Sequence, residues 1–348
     1  MNKILITLAL FILISAHSLS EEELNQQIIS EDMINFINSS NASFTAGVNP
    51  KFANATKKDV ISLLGKKYLI NKDELPIVSY GEDILKNLPE EYDARITHSV
   101  CASIIGHIQD QASCGSCWAN SAAGVIGDRM CIKSNGLFKK LISAADIMSC
   151  CHVCGSGCNG GDEAIAFVQW FVLGYVTGGD FGDKDTCKPY PFPKCDHHVI
   201  GKYPPCSGDD KTPSCKHECQ PSYQTHYKDD KHRGTAYQVS HNETQIMADI
   251  FENGPVTSAF NVYEDFPLYK SGVYHHVSGK YLGNHAVRII GWGIENGIKY
   301  WLVANSWNED WGMSGLFKIK KGSNEVGFES HIAAGKPILK EESLNFLE

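Results

Sequence analysis

Gln111-Ala-Ser-Cys-Gly-Ser-Cys-Trp-Ala119 (QASCGSCWA) is the stretch on which the reading of this 348-residue chain turns. Beyond it, Ala119, Ala122, Val125, Ile126 and Met130 recur at three- and four-residue intervals, so the spacing predicts a buried helix over 117–131 with Cys117 in its first turn. A helix N-terminus presents unpaired N–H groups and a partial positive charge, and both favour thiolate, the nucleophilic form of cysteine. Cys117 is therefore a candidate nucleophile. Cys114-Gly-Ser-Cys117 is also a C-x-x-C, which fits a redox dithiol or half a metal site, and a lone cysteine in a cysteine-rich chain is more often structural.

Composition narrows the choice. With 43% hydrophobic residues the chain can bury one large core or two lobes. Lys3, the apolar run ILITLALFILISA and the small residues Ala16 and Ser18 read as a secretory leader over 1–18, cut at 16–20. The run falls short of the ~20 apolar residues of a membrane span, and no later run is longer. Export puts the 13 cysteines in an oxidising compartment, where a disulfide framework is the default; the odd number leaves one thiol over. A net charge of −9 offers no electrostatic footprint for nucleic acid. Sequons begin at Asn38, Asn41, Asn54 and Asn242, three of them before residue 88.

All the cysteines lie between Cys101 and Cys219. Residues 19–87 have none and carry the amphipathic stretch Asp59–Ile70; they read as a separately docked pro-segment, the alternative being a mobile extension. From Leu88 a domain over 88–348 begins. Further helices are expected at 143–149, 162–171 and 243–252, and strands at 256–262, 285–291, 300–306 and 316–320. Residues 179–234 read as a long loop region held by Cys187, Cys195, Cys206, Cys215 and Cys219. The expected class is α+β: an α-rich lobe, a β-rich lobe and a cleft between them.

A thiolate nucleophile needs a base and a third group to orient it. His285 opens HAVRIIGWG and Asn305 lies near the end of YWLVANSW, so an imidazole at a strand edge could face Cys117 with Asn305 fixing its tautomer. QASCGSCW, NHAVRIIGWG and YWLVANSWNEDWG, in that order and spacing, resemble the papain family of cysteine proteases, and within it the cathepsin B-like branch, over Leu88–Gly335.

That resemblance implies a two-lobed fold with a β-barrel-like right lobe, endopeptidase plus peptidyl-dipeptidase activity, and no metal or organic cofactor. It makes Cys117 the nucleophile, His285 the general acid/base, Asn305 the orienting residue and Gln111 the oxyanion-hole amide. It pairs Cys101–Cys131, Cys114–Cys158, Cys150–Cys215, Cys151–Cys154, Cys187–Cys219 and Cys195–Cys206, leaving Cys117 free and disfavouring the redox reading; zinc at Cys150, Cys151, Cys154 and Cys158 is disfavoured by the oxidising compartment. Residues 195–206 resemble an occluding loop in which His197 and His198 take a substrate's terminal carboxylate, the first pairing with Asp110. Gly160 and Gly161 let substrate backbone approach, Trp307 roofs the His285–Asn305 bond, and Ala286 lines the S2 pocket.

The chain departs from the family pattern at several positions. His331 replaces a Glu at the base of S2, which predicts a weakened preference for Arg at P2. Tyr203 replaces an Arg that tethers the loop to an acid mapping onto Asp310, which predicts a looser loop and more endopeptidase character. Asn120, Asp162 and Asn284 replace an aromatic, an aromatic and a Gly near the cleft. Ser43–Asn49 (SFTAGVN) resembles a propeptide motif with Phe44 for Trp, in segments that cross the cleft backwards, so an inactive zymogen is expected. Expected partners are protein and peptide substrates, its own propeptide and cystatin-type inhibitors. The chain is expected to be a monomer without nucleic-acid or membrane partners, lysosomal or extracellular, including a gut lumen. The competing functions are a catalytically weakened peptide- or inhibitor-binding homologue and a thiol–disulfide oxidoreductase.

Overall fold

The computed structural model describes residues 19–70, 74–196, 202–206, 208 and 210–339. The leader 1–18 and the two loop histidines, His197 and His198, lie outside them.

One lobe is built on the helix that begins at Cys117. Four helices position the site: α1 (Lys57–Leu63), α2 (Cys117–Lys133), α3 (Ala144–Cys150) and α4 (Glu163–Val172). Every residue of α2 from Cys117 to Cys131 is buried, as expected for a helix surrounded by core. Trp118, Val125 and Ile126 pack there with Ile147 and Met148 of α3 and Phe167 and Trp170 of α4. Two buried charges on α2 reach the other lobe: Asp128 accepts from Arg288 at 2.6 Å, and Arg129 pairs with Asp249. A buried pair is costly to break, so these two hold the lobes in one relation.

The other lobe is a ten-stranded sheet. Nine of its strands are β1 (Phe44–Ala46), β2 (Ile77–Val78), β3 (Tyr237–Val239), β4 (Val256–Tyr263), β5 (Tyr269–Tyr274), β6 (Tyr281–Glu295), β7 (Ile298–Ala304), β8 (Leu316–Lys320) and β9 (Ile332–Ala334). They run in the order β1-β5-β8-β7-β6-β4-β9-β3-β2, with Tyr92–Asp93 attached to β6. The first and last strands of this path do not meet, so among the described residues the β-rich lobe is a mixed sheet that does not close into a barrel. The reason is visible at the ends, where β1 pairs antiparallel with β5 and β2 parallel with β3. Residues 19–87 thus supply both borders.

The same segment is anchored through the motif at 43–49. Phe44 is buried against Tyr269 and Tyr274, and the Asn49 amide donates to the carbonyls of Pro267 and Tyr269. Helix α1 starts at a Thr56–Asp59 capping box and stops at Leu63, well short of the end of the amphipathic stretch. From Leu64 the chain is drawn out by bonds to the cleft walls.

Candidate active site

Cys117 is the first residue of α2, so its own N–H lies in the turn that has no intrahelical acceptors. Six disulfides join Cys101–Cys131, Cys114–Cys158, Cys150–Cys215, Cys151–Cys154, Cys187–Cys219 and Cys195–Cys206, the pairing that the resemblance implies, and Cys117 is free. Cys114 therefore has no thiol to exchange with Cys117, and each of the four cysteines weighed as zinc ligands has its sulfur in an S–S bond.

His285 lies on β6, opposite Phe260 of β4. Its Nε2 is 2.7 Å from Asn305 Oδ1, and that oxygen also accepts from the Ser306 N–H at 2.8 Å. A donor at Ser306 fixes Oδ1 rather than Nδ2 toward the ring, so Nε2 is the protonated nitrogen and Nδ1, which makes no hydrogen bond, keeps its lone pair. Trp307 stacks on the imidazole at 4.7 Å between centroids and is itself fully buried. The Ala286, Gly65 and Trp118 backbone amides lie against the Cys117 sulfur, which puts the sulfur beside the residue that follows His285.

Gln111 is held from behind. Its N–H donates to the Ser306 carbonyl, its Oε1 accepts from Ser306 Oγ at 2.7 Å, and its carbonyl accepts from Tyr190. Asn120 belongs to this support and not to the cleft: its Nδ2 donates to Ser116, whose hydroxyl meets that of Tyr190. Gln111 Nε2 is thereby aimed forward, and it donates to the Leu63 carbonyl at 2.8 Å and to the Cys114 carbonyl.

A peptide chain therefore occupies the site. The Gly161 N–H donates to the Gly65 carbonyl and its carbonyl accepts from the Lys67 N–H, while the Lys66 N–H donates to the Asn284 carbonyl. Gly65 is required here, since a Cβ would lie 1.7 Å from the Gly115 oxygen. Gly161 is equally constrained, because a Cβ would meet the Trp118 ring at 2.5 Å; at Gly160, φ is +103°.

This occupancy changes the chemistry that the helix terminus alone suggests. Burial pushes the Cys117 thiol up to about 11, although the surrounding amides pull it down. Burial likewise pushes His285 down to about 4, against the Asn305 bond. In this covered state desolvation outweighs the helix N-terminus, and it favours the neutral thiol and the neutral imidazole.

Two lysines of the N-terminal segment were not singled out by sequence reasoning, because a lysine in a polar stretch reads as solvated. Lys51 is fully buried, with Nζ 2.8 Å from Asp110 Oδ1 and 2.7 Å from the Cys195 carbonyl. It occupies the acid that the family resemblance gives to a loop histidine. Lys66 is 3% exposed, with Nζ 2.8 Å from both Asp162 Oδ1 and Glu163 Oε2. His331 lies near that ammonium, its ring 4.3 Å from the ring of Tyr68. Ala286 is buried, and its backbone amide lies against the Cys117 sulfur. At the disulfide-closed loop, Tyr203 donates to Glu309 at 2.6 Å, so the tether runs to Glu309 and not to Asp310. Asn38, Asn41, Asn54 and Asn242 are all exposed.

Residues 88–336 match the model of the papain family cysteine proteases. A cathepsin B-like cysteine proteinase of Schistosoma japonicum is 43% identical over 331 residues, 94% of this chain and 96% of the relative. A gut-specific cysteine proteinase of Caenorhabditis elegans is 44% identical over 314 residues, 89% and 92%. Among solved structures, procathepsin B S9 from Trypanosoma congolense is similar with a TM-score of 0.77 and 36% identity, covering 89% of this chain and 99% of that one.

Proposed function

The chain belongs to the papain family of cysteine proteases, in its cathepsin B-like branch, and from that premise we propose that it is a secreted or lysosomal zymogen. Its pro-segment, 19–87, blocks the cleft until it is cut near Leu88, and the released domain hydrolyses peptide bonds.

The observation that carries this reading is the Gln111 Nε2 bond to a peptide carbonyl of the chain's own N-terminal segment, beside a His285–Asn305 pair. A site that already holds a peptide carbonyl at a preorganised amide donor is suited to hold a carbonyl that is becoming an oxyanion. In the processed enzyme His285 Nδ1 takes the Cys117 proton, the thiolate attacks the scissile carbonyl, and Gln111 Nε2 with the Cys117 N–H stabilises the tetrahedral oxygen. The imidazolium then gives its proton to the leaving amine, and water, activated by the same ring, cleaves the thioester. Asn305 keeps the proton on Nε2 throughout. Trp307 shields that hydrogen bond from water, which strengthens it.

Release of the pro-segment restores water to Cys117 and His285, removing the desolvation that keeps both neutral. The weakened-homologue alternative rests on Asn120 and Asn284; Asn120 supports Gln111 from the interior through Ser116 and Tyr190, which counts against it. Cleavage two residues from a carboxyl terminus is proposed for the loop 195–206, with endopeptidase character retained; exclusively dipeptide products would count against the latter. Titration of the processed form with an epoxysuccinyl inhibitor tests the whole proposal. One equivalent bound at Cys117, with loss of peptide hydrolysis, is expected; a processed protein that neither binds the inhibitor nor turns over any peptide would sink it.

A further inference from the structure

We propose that Asp162 and Glu163 make the pocket beside Gly161 a receptor for a cationic side chain, so that the processed enzyme selects lysine or arginine at P2. The inference rests on the proteolytic reading and deepens it by naming a substrate class. Neither carboxylate stands at the position of His331, where the family resemblance looks for the acid that governs this pocket.

The pro-segment supplies the evidence as an occupant. Residue 66 is the one whose flanking carbonyl and amide, from Gly65 and Lys67, bond to both sides of Gly161, and its own N–H bonds to Asn284. Its side chain turns into the pocket bounded by Asp162, Glu163, Ala164, Gln238 and His331. There the ammonium meets two carboxylate oxygens at 2.8 Å each and lies 4.7 Å from the centre of the Tyr68 ring. Burial would lower the charge affinity of Lys66, yet Glu163 and Asp162 outweigh it and hold the group above its ordinary range.

The receptor is rigid. Asp162 caps α4 through the Ala164 N–H at 3.0 Å, and Glu163 is the first residue of that helix. Both are 1% exposed. Glu163 Oε2 accepts no directed hydrogen bond, so its compensation is the ion pair with Lys66. Once the pro-segment leaves, Tyr68 and Lys66 go with it, and two acidic side chains remain on one wall of the opened cleft with no counter-charge from that segment. A neutral P2 side chain leaves them so, whereas lysine or arginine restores what Lys66 provided. His331, whose replacement of a family acid predicted a weaker preference for arginine, does not decide the charge of the pocket by itself.

The test uses the full chain processed by an added protease near Leu88. Peptides carrying lysine, arginine, leucine or norleucine at P2 are measured by fluorescence anisotropy against the Cys117→Ala form, which requires no chemistry, and by kcat/KM against the active form. Basic P2 peptides should bind about 10- to 100-fold more tightly than leucine or norleucine peptides, with the same ratio in kcat/KM. Glu163→Gln should cut that ratio severalfold, and Asp162→Asn with Glu163→Gln should bring it to about one while the leucine peptide keeps its affinity; both changes preserve volume, and Asn caps a helix as well as Asp. Equal binding of basic and neutral peptides, or a preference that survives the double substitution, overturns the proposal and leaves the two acids as anchors for Lys66 alone. Failure of the proteolytic reading appears separately, as absence of turnover and of epoxysuccinyl labelling, while the binding experiment still decides the pocket.

Discussion

Replacing Lys51 with methionine should loosen the pro-segment without touching the mature catalytic groups. The Lys51–Asp110 pair is fully buried at 2.8 Å, and breaking a buried pair typically costs about 3–5 kcal/mol. Asp110 would keep three donors, the N–H groups of Ala112 and Cys195 and the Asn308 amide at 2.9–3.0 Å, and the Cys195 carbonyl would keep Asn308 Nδ2 at 3.1 Å. Those bonds put the expected loss at the lower end, about 3 kcal/mol, or roughly 100-fold in the population of the undocked state. The readout is the rate at which a thiol reagent alkylates Cys117 in the full-length precursor, in a His285→Ala background that prevents self-processing. Where docking and undocking are fast, that rate tracks the open population. A roughly 100-fold faster alkylation is expected; a rate within about threefold of the parent would refute the claim that this buried pair fastens the segment.

Alkylation should also report on pH. Burial raises Cys117 to about 11 and lowers His285 to about 4, so between those values the docked precursor carries thiol and neutral imidazole. Its labelling rate should stay low through mildly acidic and neutral pH, whereas the processed form should label rapidly over the same range. Gly65→Ala should leave a leaky precursor, because the added methyl meets the Gly115 carbonyl; residual peptidase activity of the uncut chain measures it. Gln111→Ala in the processed enzyme should reduce kcat by about 10²–10³-fold with KM little changed. Asn305→Ala should lower kcat and displace the acidic limb of its pH profile, because the ring loses the acceptor that favours its charged form.

Much of the framework was legible in the chain. The periodicity after Cys117 gave a helix that runs from that residue, and the run at 316–320 is a strand with the expected limits. Residues 285–291 lie inside a longer strand, Tyr281–Glu295, because pairing to two neighbours continues past the apolar run on both sides. What pattern reading missed depends on contacts between distant positions. The amphipathic stretch 59–70 is helical only to Leu63, since backbone bonds to Gly161 and Asn284 extend the rest. Lys51 and Lys66 resemble any other polar residue of their segment, and their burial comes from acids at 110, 162 and 163. Periodicity cannot see such pairs, nor that Asn120 faces Tyr190 through Ser116.

The placement of β1 and β2 at opposite margins of the sheet constrains how this precursor ripens. On the proposed processing, a nick near Leu88 would free the end that borders β3, but Phe44–Ala46 would still grip β5 on the far side, with the cleft-filling stretch strung between. The severed piece would then have to unzip across the full width of the molecule before the groove opens, which would make scission and switching-on two events separated in time. Until it departs it would act as a docked competitor; afterwards, two selvedges of unpaired main chain would face solvent.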